Sequence, residues 1–216
     1  MKRREFSAAT ACALAAASGL PGAVFAQGKK PEEGTEYLKL DKAVPVDAPP
    51  GKIEVIEFFW YACPHCNAFE PRLEAWLKTI PPDIAFKRVP VAFRDDFVPQ
   101  QRLYYALEAM GKVDELHAKV FNAIHVNYDA LNREDLILAW VGKQGLDPAK
   151  FKELYNSSSV SSKARRAVQL QDAYKVQGVP ALGVAGRYYT DGTLAGNTER
   201  ALQVTEYLVA EARKAR

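Results

Sequence analysis

The feature that most constrains this chain is the junction at residues 53–66, where Ile53-Glu54-Val55-Ile56-Glu57-Phe58-Phe59-Trp60 runs into Cys63-Pro64-His65-Cys66. An apolar, β-branched and aromatic run of this kind reads as a strand buried on both faces. After Tyr61 and Ala62 the period turns helical, with Ala68, Phe69, Arg72, Leu73, Trp76 and Leu77. Two cysteines therefore straddle the first turn of a helix that follows a central strand. Cys63 is then the N-cap and Pro64 is N1, where its missing N–H is harmless. His65 and Cys66 become N2 and N3, whose free N–H groups face the N-cap side chain. A sulfur in that place meets orphan donors and the positive end of a helix dipole, which favours thiolate over thiol. The dipole contributes ~0.3–1 kcal/mol, at best ~2, against ~1.36 kcal/mol for one pKa unit. Alone it lowers the Cys63 pKa by about one unit; more needs the two backbone donors and the His65 imidazole. All three meet at one sulfur, as a nucleophile requires.

At 216 residues the chain is long enough for one substantial core, or a core with an inserted subdomain. No apolar run reaches the ~18–20 residues of a membrane span, so stable membrane insertion is not expected. There is no internal repeat and no Gly-rich phosphate loop. Residues 1–26 read as a cleavable signal peptide. Lys2, Arg3 and Arg4 form its basic start, Ala8 to Leu20 its apolar stretch, and Val24-Phe25-Ala26 its cleavage site, near Ala26/Gln27. Arg3-Arg4 also suits a twin-arginine signal, but general export is the preferred reading. Removing the segment takes lysine plus arginine from 29 to 26 and acids from 26 to 25, leaving a net charge of about +1. That is not the basic excess of a nucleic-acid binder. Cys12 leaves with the signal, and it lacks the upstream leucine of a lipoprotein site. One vicinal pair then remains in an oxidising compartment, too few cysteines for a structural disulfide framework.

Along the chain, Gln27 to Glu36 reads as a polar leader, Tyr37 to Leu40 as a short edge strand and Val44 to Gly51 as a Pro-rich connection. Ile84 to Val91 makes the next, parallel strand. From Phe97 to Gln177 the pattern is entirely helical. Pro99 opens a helix carrying Leu103, Leu107 and Met110, and Val113, Leu116, Val120 and Ile124 stripe a second. Asn132 is the expected cap of a third. Asp147-Pro148 starts a fourth, and a Ser-rich link, Ser157 to Ser162, enters a fifth that stops at Gly178. Strands return at Ala181 to Ala185 and Arg187 to Thr190, and Asn197 caps a last helix. The order predicts an α/β sheet interrupted by a helical block, divided as 27–96, 97–177 and 178–216.

The chemistry of a single C-x-x-C has several readings. A structural zinc site wants four ligands, whereas here there is one pair, with His117 and His125 in predicted helices as packing or surface residues; no metal is expected. Covalent haem attachment needs a histidine where Asn67 stands. A cysteine hydrolase leaves Cys66 without a role. Thiol–disulfide exchange uses both thiols, one attacking and one resolving, and is the reading adopted, with no cofactor.

With Phe58-Phe59 before Cys63-Pro64-His65-Cys66, a helical insertion and Gly178-Val179-Pro180-Ala181, the chain resembles the DsbA-type periplasmic disulfide oxidoreductases of the thioredoxin superfamily. The resemblance covers essentially everything after the signal. It implies a thioredoxin-like fold with an inserted all-helical subdomain, oxidation of reduced exported polypeptides, and reoxidation by an inner-membrane DsbB-type quinone reductase. It also implies a cis Val179-Pro180 bond beside the cysteines, leaving backbone groups for an extended substrate. Without it, Pro180 simply marks a strand edge. Glu57, a charge inside an apolar strand, reads from the residues alone as an exposed edge position; the resemblance makes it a buried acid that assists proton transfer at Cys66. The expected protein is a monomeric periplasmic dithiol oxidase in which Cys63 attacks, Cys66 resolves, His65 stabilises the thiolate and Pro64 shapes the turn. The alternatives are a reductase or isomerase, or a secreted peptide-binding chaperone with a merely structural disulfide. Periplasmic isomerases usually add a dimerisation domain, for which Gln27 to Gly51 is too short.

Overall fold

Every residue of the strand Ile53–Phe59 is buried, so the sheet built on it is covered on both faces. The computed structural model describes residues 29–215. The expected signal peptide, its cleavage point and Cys12 lie outside the described residues. From Pro31 the elements run β1 (Leu38–Lys39), β2 (Ile53–Phe59), α1 (Pro64–Leu77), β3 (Ile84–Pro90), a 3-10 turn (Asp95–Phe97), α2 (Val98–Ala109), α3 (Val113–His125), α4 (Glu134–Lys143), α5 (Pro148–Tyr155), α6 (Ser158–Ala173), β4 (Ala181–Val184), β5 (Tyr188–Asp191) and α7 (Thr198–Lys214). The sheet order is β1-β5-β4-β2-β3, with β2 and β3 parallel and the other pairs antiparallel.

The period of two along β2 sorts its side chains between two cores. Ile53 and Val55 pack with Phe69 and Leu73 of α1 and with Val204 and Leu208 of α7. Ile56 and Phe58 face the helices inserted between β3 and β4, where Leu103, Leu107, Leu116, Val120 and Tyr174 are buried. Glu57 shares the parity of Val55 and so points toward the α1 side. It is fully buried, not at an edge.

Several boundaries differ from expectation, each for a local reason. The serine stretch is the start of α6 and not a link: Ser157 caps the helix, its Oγ accepting from the Val160 N–H at 3.2 Å. That helix ends at Ala173 and not at Gly178, and Lys175 takes the left-handed φ of 54° expected of a glycine. Ending there seats the Tyr174 ring in the core, where its hydroxyl accepts from the Gly186 N–H at 3.1 Å. The cap of α4 is Arg133, one residue past Asn132, held by a two-pronged pair with Asp135. Strand β4 stops at Val184, because Ala185 turns to φ 54° to begin the hairpin, and β5 is displaced by one residue to Tyr188–Asp191. Pro71 lies inside α1. It removes the hydrogen bond to the Asn67 carbonyl, yet the helix continues because Phe69, Leu73 and Trp76 are buried on its inner face.

Candidate active site

Cys63 has the extended N-cap conformation, φ −80° and ψ 116°, with Pro64 opening α1. The Cys66 N–H donates to Cys63 Sγ at 3.4 Å, the N-cap-to-N3 bond that the tetrapeptide spacing predicts. Both cysteines are free thiols. From across the site, the carbonyl of Val179 accepts from the Cys63 S–H at 3.4 Å, and the Val179-Pro180 peptide is cis. Residues 116 positions apart in sequence thus meet at one sulfur. Beside them opens a groove of about 570 Å³, whose lining includes Leu38, His65, Val179, Pro180, Tyr189 and Leu194.

The two thiols sit in different electrical environments. The Cys63 pKa falls from an ordinary 9.0 to about 6. The Cys66 thiol hydrogen-bonded to it is the largest cause; burial opposes, and the N–H groups of Cys66 and His65 and then the charge of His65 add to the lowering. The charge of His65 is thus the smallest of these contributions, a shift of emphasis from the sequence reading, because its side chain is exposed and screened by water. Cys66 moves the other way. Burial pushes its thiol up, and the neighbouring Cys63 and the charge of Glu57 push it further. Cys66 is wholly covered, but Cys63 is only 7% exposed, so the attacking candidate is less open than an N-cap facing a groove suggests. The Val179 carbonyl lies over it.

Behind Cys66, the parallel register of β2 and β3 sets Glu57 opposite Arg88. Arg88 Nε is 3.1 Å from Glu57 Oε2 without the alignment of a hydrogen bond, while its Nη2 donates to Glu70 at 2.7 Å and to Glu74 at 2.6 Å. One guanidinium faces three carboxylates. Burial and the charge of Glu70 therefore raise the Glu57 pKa, against the pull of Arg88. Glu70 is lowered: burial alone would raise it, and His117 and Arg88 together outweigh that. Of the two acids, Glu57 is therefore the one that holds its proton more tightly.

Sequence reading did not single out Arg88, Glu70 or Gln100, whose Oε1 accepts from the Ala62 N–H at 3.2 Å. A signal existed for Glu70, which shares the inner face of α1 with Cys66 at a spacing of four. None marked Arg88, an ordinary basic residue until β3 is laid beside β2. Among the described residues no cluster of three or more potential metal ligands occurs.

A five-stranded sheet, a dithiol capping the helix after its central strand, and the carbonyl that precedes a cis-proline at the outer sulfur define a thioredoxin-fold thiol:disulfide oxidoreductase. A family model for the DSBA-like thioredoxin domain matches residues 54–207, and the chain belongs to that family. Its relatives include thiol:disulfide interchange protein DsbA of Bordetella parapertussis, 43% identical over 202 residues, covering 93% of this chain and 96% of that protein. The Pseudomonas aeruginosa protein of the same name is 38% identical over 182 residues, covering 84% and 86%. The crystal structure of Pseudomonas aeruginosa DsbA superposes with a TM-score of 0.81 at 38% identity, over 85% of this chain and 95% of that one. Reduced DsbA1 from Neisseria meningitidis gives 0.75 at 25% identity, over 87% and 98%.

Proposed function

We propose that this chain introduces disulfide bonds into reduced exported polypeptides in the periplasm and is itself reoxidised by an inner-membrane DsbB-type quinone reductase. The observation that carries the reading is the position of Cys63 Sγ between the Cys66 N–H and the Val179 carbonyl, beside a groove that Val179 and Pro180 line. In the oxidised enzyme a substrate thiolate attacks Cys63 Sγ, the Cys63–Cys66 bond breaks, and Cys66 leaves with the electron pair and takes a proton. A second substrate thiolate then attacks the substrate sulfur of the mixed disulfide and expels Cys63 as thiolate. Two electrons pass to the enzyme for each disulfide made.

In this scheme Cys66 needs a proton as it leaves, and Glu57, buried on the same side of the sheet and holding one, supplies it. Pro64 fixes the turn, His65 adds charge at the Cys63 sulfur, and Val179 and Pro180 offer backbone to an extended peptide. The division into 27–96 and 178–216 as one thioredoxin-like domain, with 97–177 inserted, assigns the peptide edge to the first and the cover of the redox loop to the second. The test is the equilibrium of the pair against a glutathione buffer. A strong oxidant is expected, reduced by glutathione well above the potential of a structural bond. A potential below about −300 mV, where structural disulfides lie, would return the chain to a binding module with an inert bond.

A further inference from the structure

His117 and His125 look like packing or surface residues in the sequence, and the redox scheme above does not use them. In the structure both point at one residue of the redox loop. Tyr61 is almost completely buried, and its Oη lies 2.8 Å from His117 Nδ1. His117 Nε2 stands 3.4 Å from the Glu70 carboxylate, which calls for the proton on Nε2, so the Tyr61 hydroxyl donates to Nδ1. His125 Nε2–H donates to the Tyr61 carbonyl at 2.8 Å. Between the histidines, one helical turn from each, Phe121 packs its ring on Tyr61 with centroids 5.1 Å apart, and His125 stacks on Phe121. Positions 117, 121 and 125 share one face of α3 by their spacing of four.

Tyr61 is thereby held at its hydroxyl, ring and carbonyl by α3, and the next N–H is held by Gln100 of α2. The same short loop delivers Cys63, whose N–H donates to the Trp60 carbonyl at 3.0 Å across Tyr61 and Ala62. We infer that the His117–Phe121–His125 face of α3 is a positioning set for Cys63, acting through Tyr61, so that the inserted helices adjust how oxidising the dithiol is. The physical link is the length of the sulfur's bonds. At 3.4 Å, the contact from the Cys66 N–H weakens with any outward drift of the loop. A thiolate loses more from that than a neutral disulfide sulfur does. Loosening the loop therefore disfavours the reduced form selectively. The inference rests on Cys63 being the attacking sulfur.

The experiment compares wild type with His125→Leu, His125→Gln and Tyr61→Phe in a glutathione redox equilibrium, with Cys63 titrated by thiolate absorbance. Glutamine keeps a donor for the Tyr61 carbonyl, leucine does not, and phenylalanine keeps the ring but not the bond to His117. We expect His125→Leu and Tyr61→Phe each to make the pair less oxidising by roughly three- to tenfold in the equilibrium constant, the size of one net hydrogen bond. The Cys63 pKa should rise in both, and His125→Gln should stay within about twofold of wild type. A residue that only supported the fold would lower the melting temperature without moving the equilibrium. Unchanged equilibria in His125→Leu and Tyr61→Phe overturn the inference, as does a His125→Gln shift equal to that of leucine. A wild-type Cys63 titrating near 9.0 would instead overturn the functional reading, and the positioning role would still be decided by leucine against glutamine.

Discussion

A sulfur at the N-cap and a sulfur at N3 differ by three residues in sequence and by a large separation in acidity. With Cys63 lowered to about 6 and Cys66 raised, alkylation of the reduced protein should modify Cys63 first, following a single ionisation near pH 6. Equal labelling of both thiols in peptide mapping would exchange or abolish the assigned roles. Cys63→Ser should remove oxidase activity, whereas Cys66→Ser should accumulate mixed disulfides through Cys63, visible on non-reducing gels. Arg88 is the other residue with an outsized effect expected. It is the only cation within salt-bridge reach of both Glu57 and Glu70 among the described residues. Arg88→Met leaves the Glu70 carboxylate buried without its cation, a change that costs about 3–5 kcal/mol when one partner of a buried pair is removed. Denaturant melts should show that loss, and adding Glu70→Gln should recover more of it than adding Glu57→Gln, because Glu57 holds its proton more tightly; the reverse order would remove the argument for Glu57 as a proton holder.

At the scale of elements, β4 is fixed in place by what it leaves out. Gly183 pairs with Ile56 and Tyr189, and a methyl group at its Cα would run into the ring of Tyr174. That ring cannot retreat, being buried against Phe58 with centroids 5.2 Å apart. Gly183→Ala should therefore destabilise by about 1–3 kcal/mol, the usual penalty of overpacking. Asn197 gives a smaller effect of a different kind: its Oδ1 accepts from the Arg200 N–H at 2.8 Å to start α7, and Asn197→Ala should cost about 1 kcal/mol. Thermal melts of the two variants should rank in that order, and Gly183→Ala melting like wild type would mean that Tyr174 is not seated as described. Sequence reading did not mark Gly183. Its reason lies in Tyr174, the residue that caps the end of α6, which no local pattern connects to β4.

For the molecule as a whole, the low Cys63 pKa is a statement about the relative stability of the two redox forms. The folded value, about 6, lies below the unfolded value of 9.0, so the contribution is fully present above the unfolded pKa and is lost as pH falls through the folded one. Cys66 has the opposite sign: its raised pKa is a contribution present below the unfolded value and lost as pH rises beyond it. Reduced protein should thus gain stability over oxidised protein as pH rises from about 6 toward 9 and gain no more beyond. The disulfide closes a loop of only two intervening residues, so it removes little chain entropy, and the reduced form should be the more stable in that window. Paired urea melts of both forms on either side of pH 6 measure this directly. An oxidised form that melts at higher urea throughout would contradict it.

Much of this protein was legible in the sequence because its decisive signals are local. Burial of β2 follows from an apolar run, and the N-cap place of Cys63 follows from Pro64 and the helical period after it. The helical character of the segment between β3 and β4 follows from its apolar stripes. Family resemblance supplied the cis bond at Pro180 and the burial of Glu57, which periodicity alone left open. Tertiary structure decided what depends on pairing between distant segments. Only the β2–β3 register sets Arg88 against Glu57, only the fold brings the Val179 carbonyl over Cys63, and only the docking of α3 turns His117 and His125 toward Tyr61. Periodicity reports which face of an element is buried, because one element's geometry determines that. Which polar side chain meets which across two faces depends on register and docking, and those are properties of the assembled core.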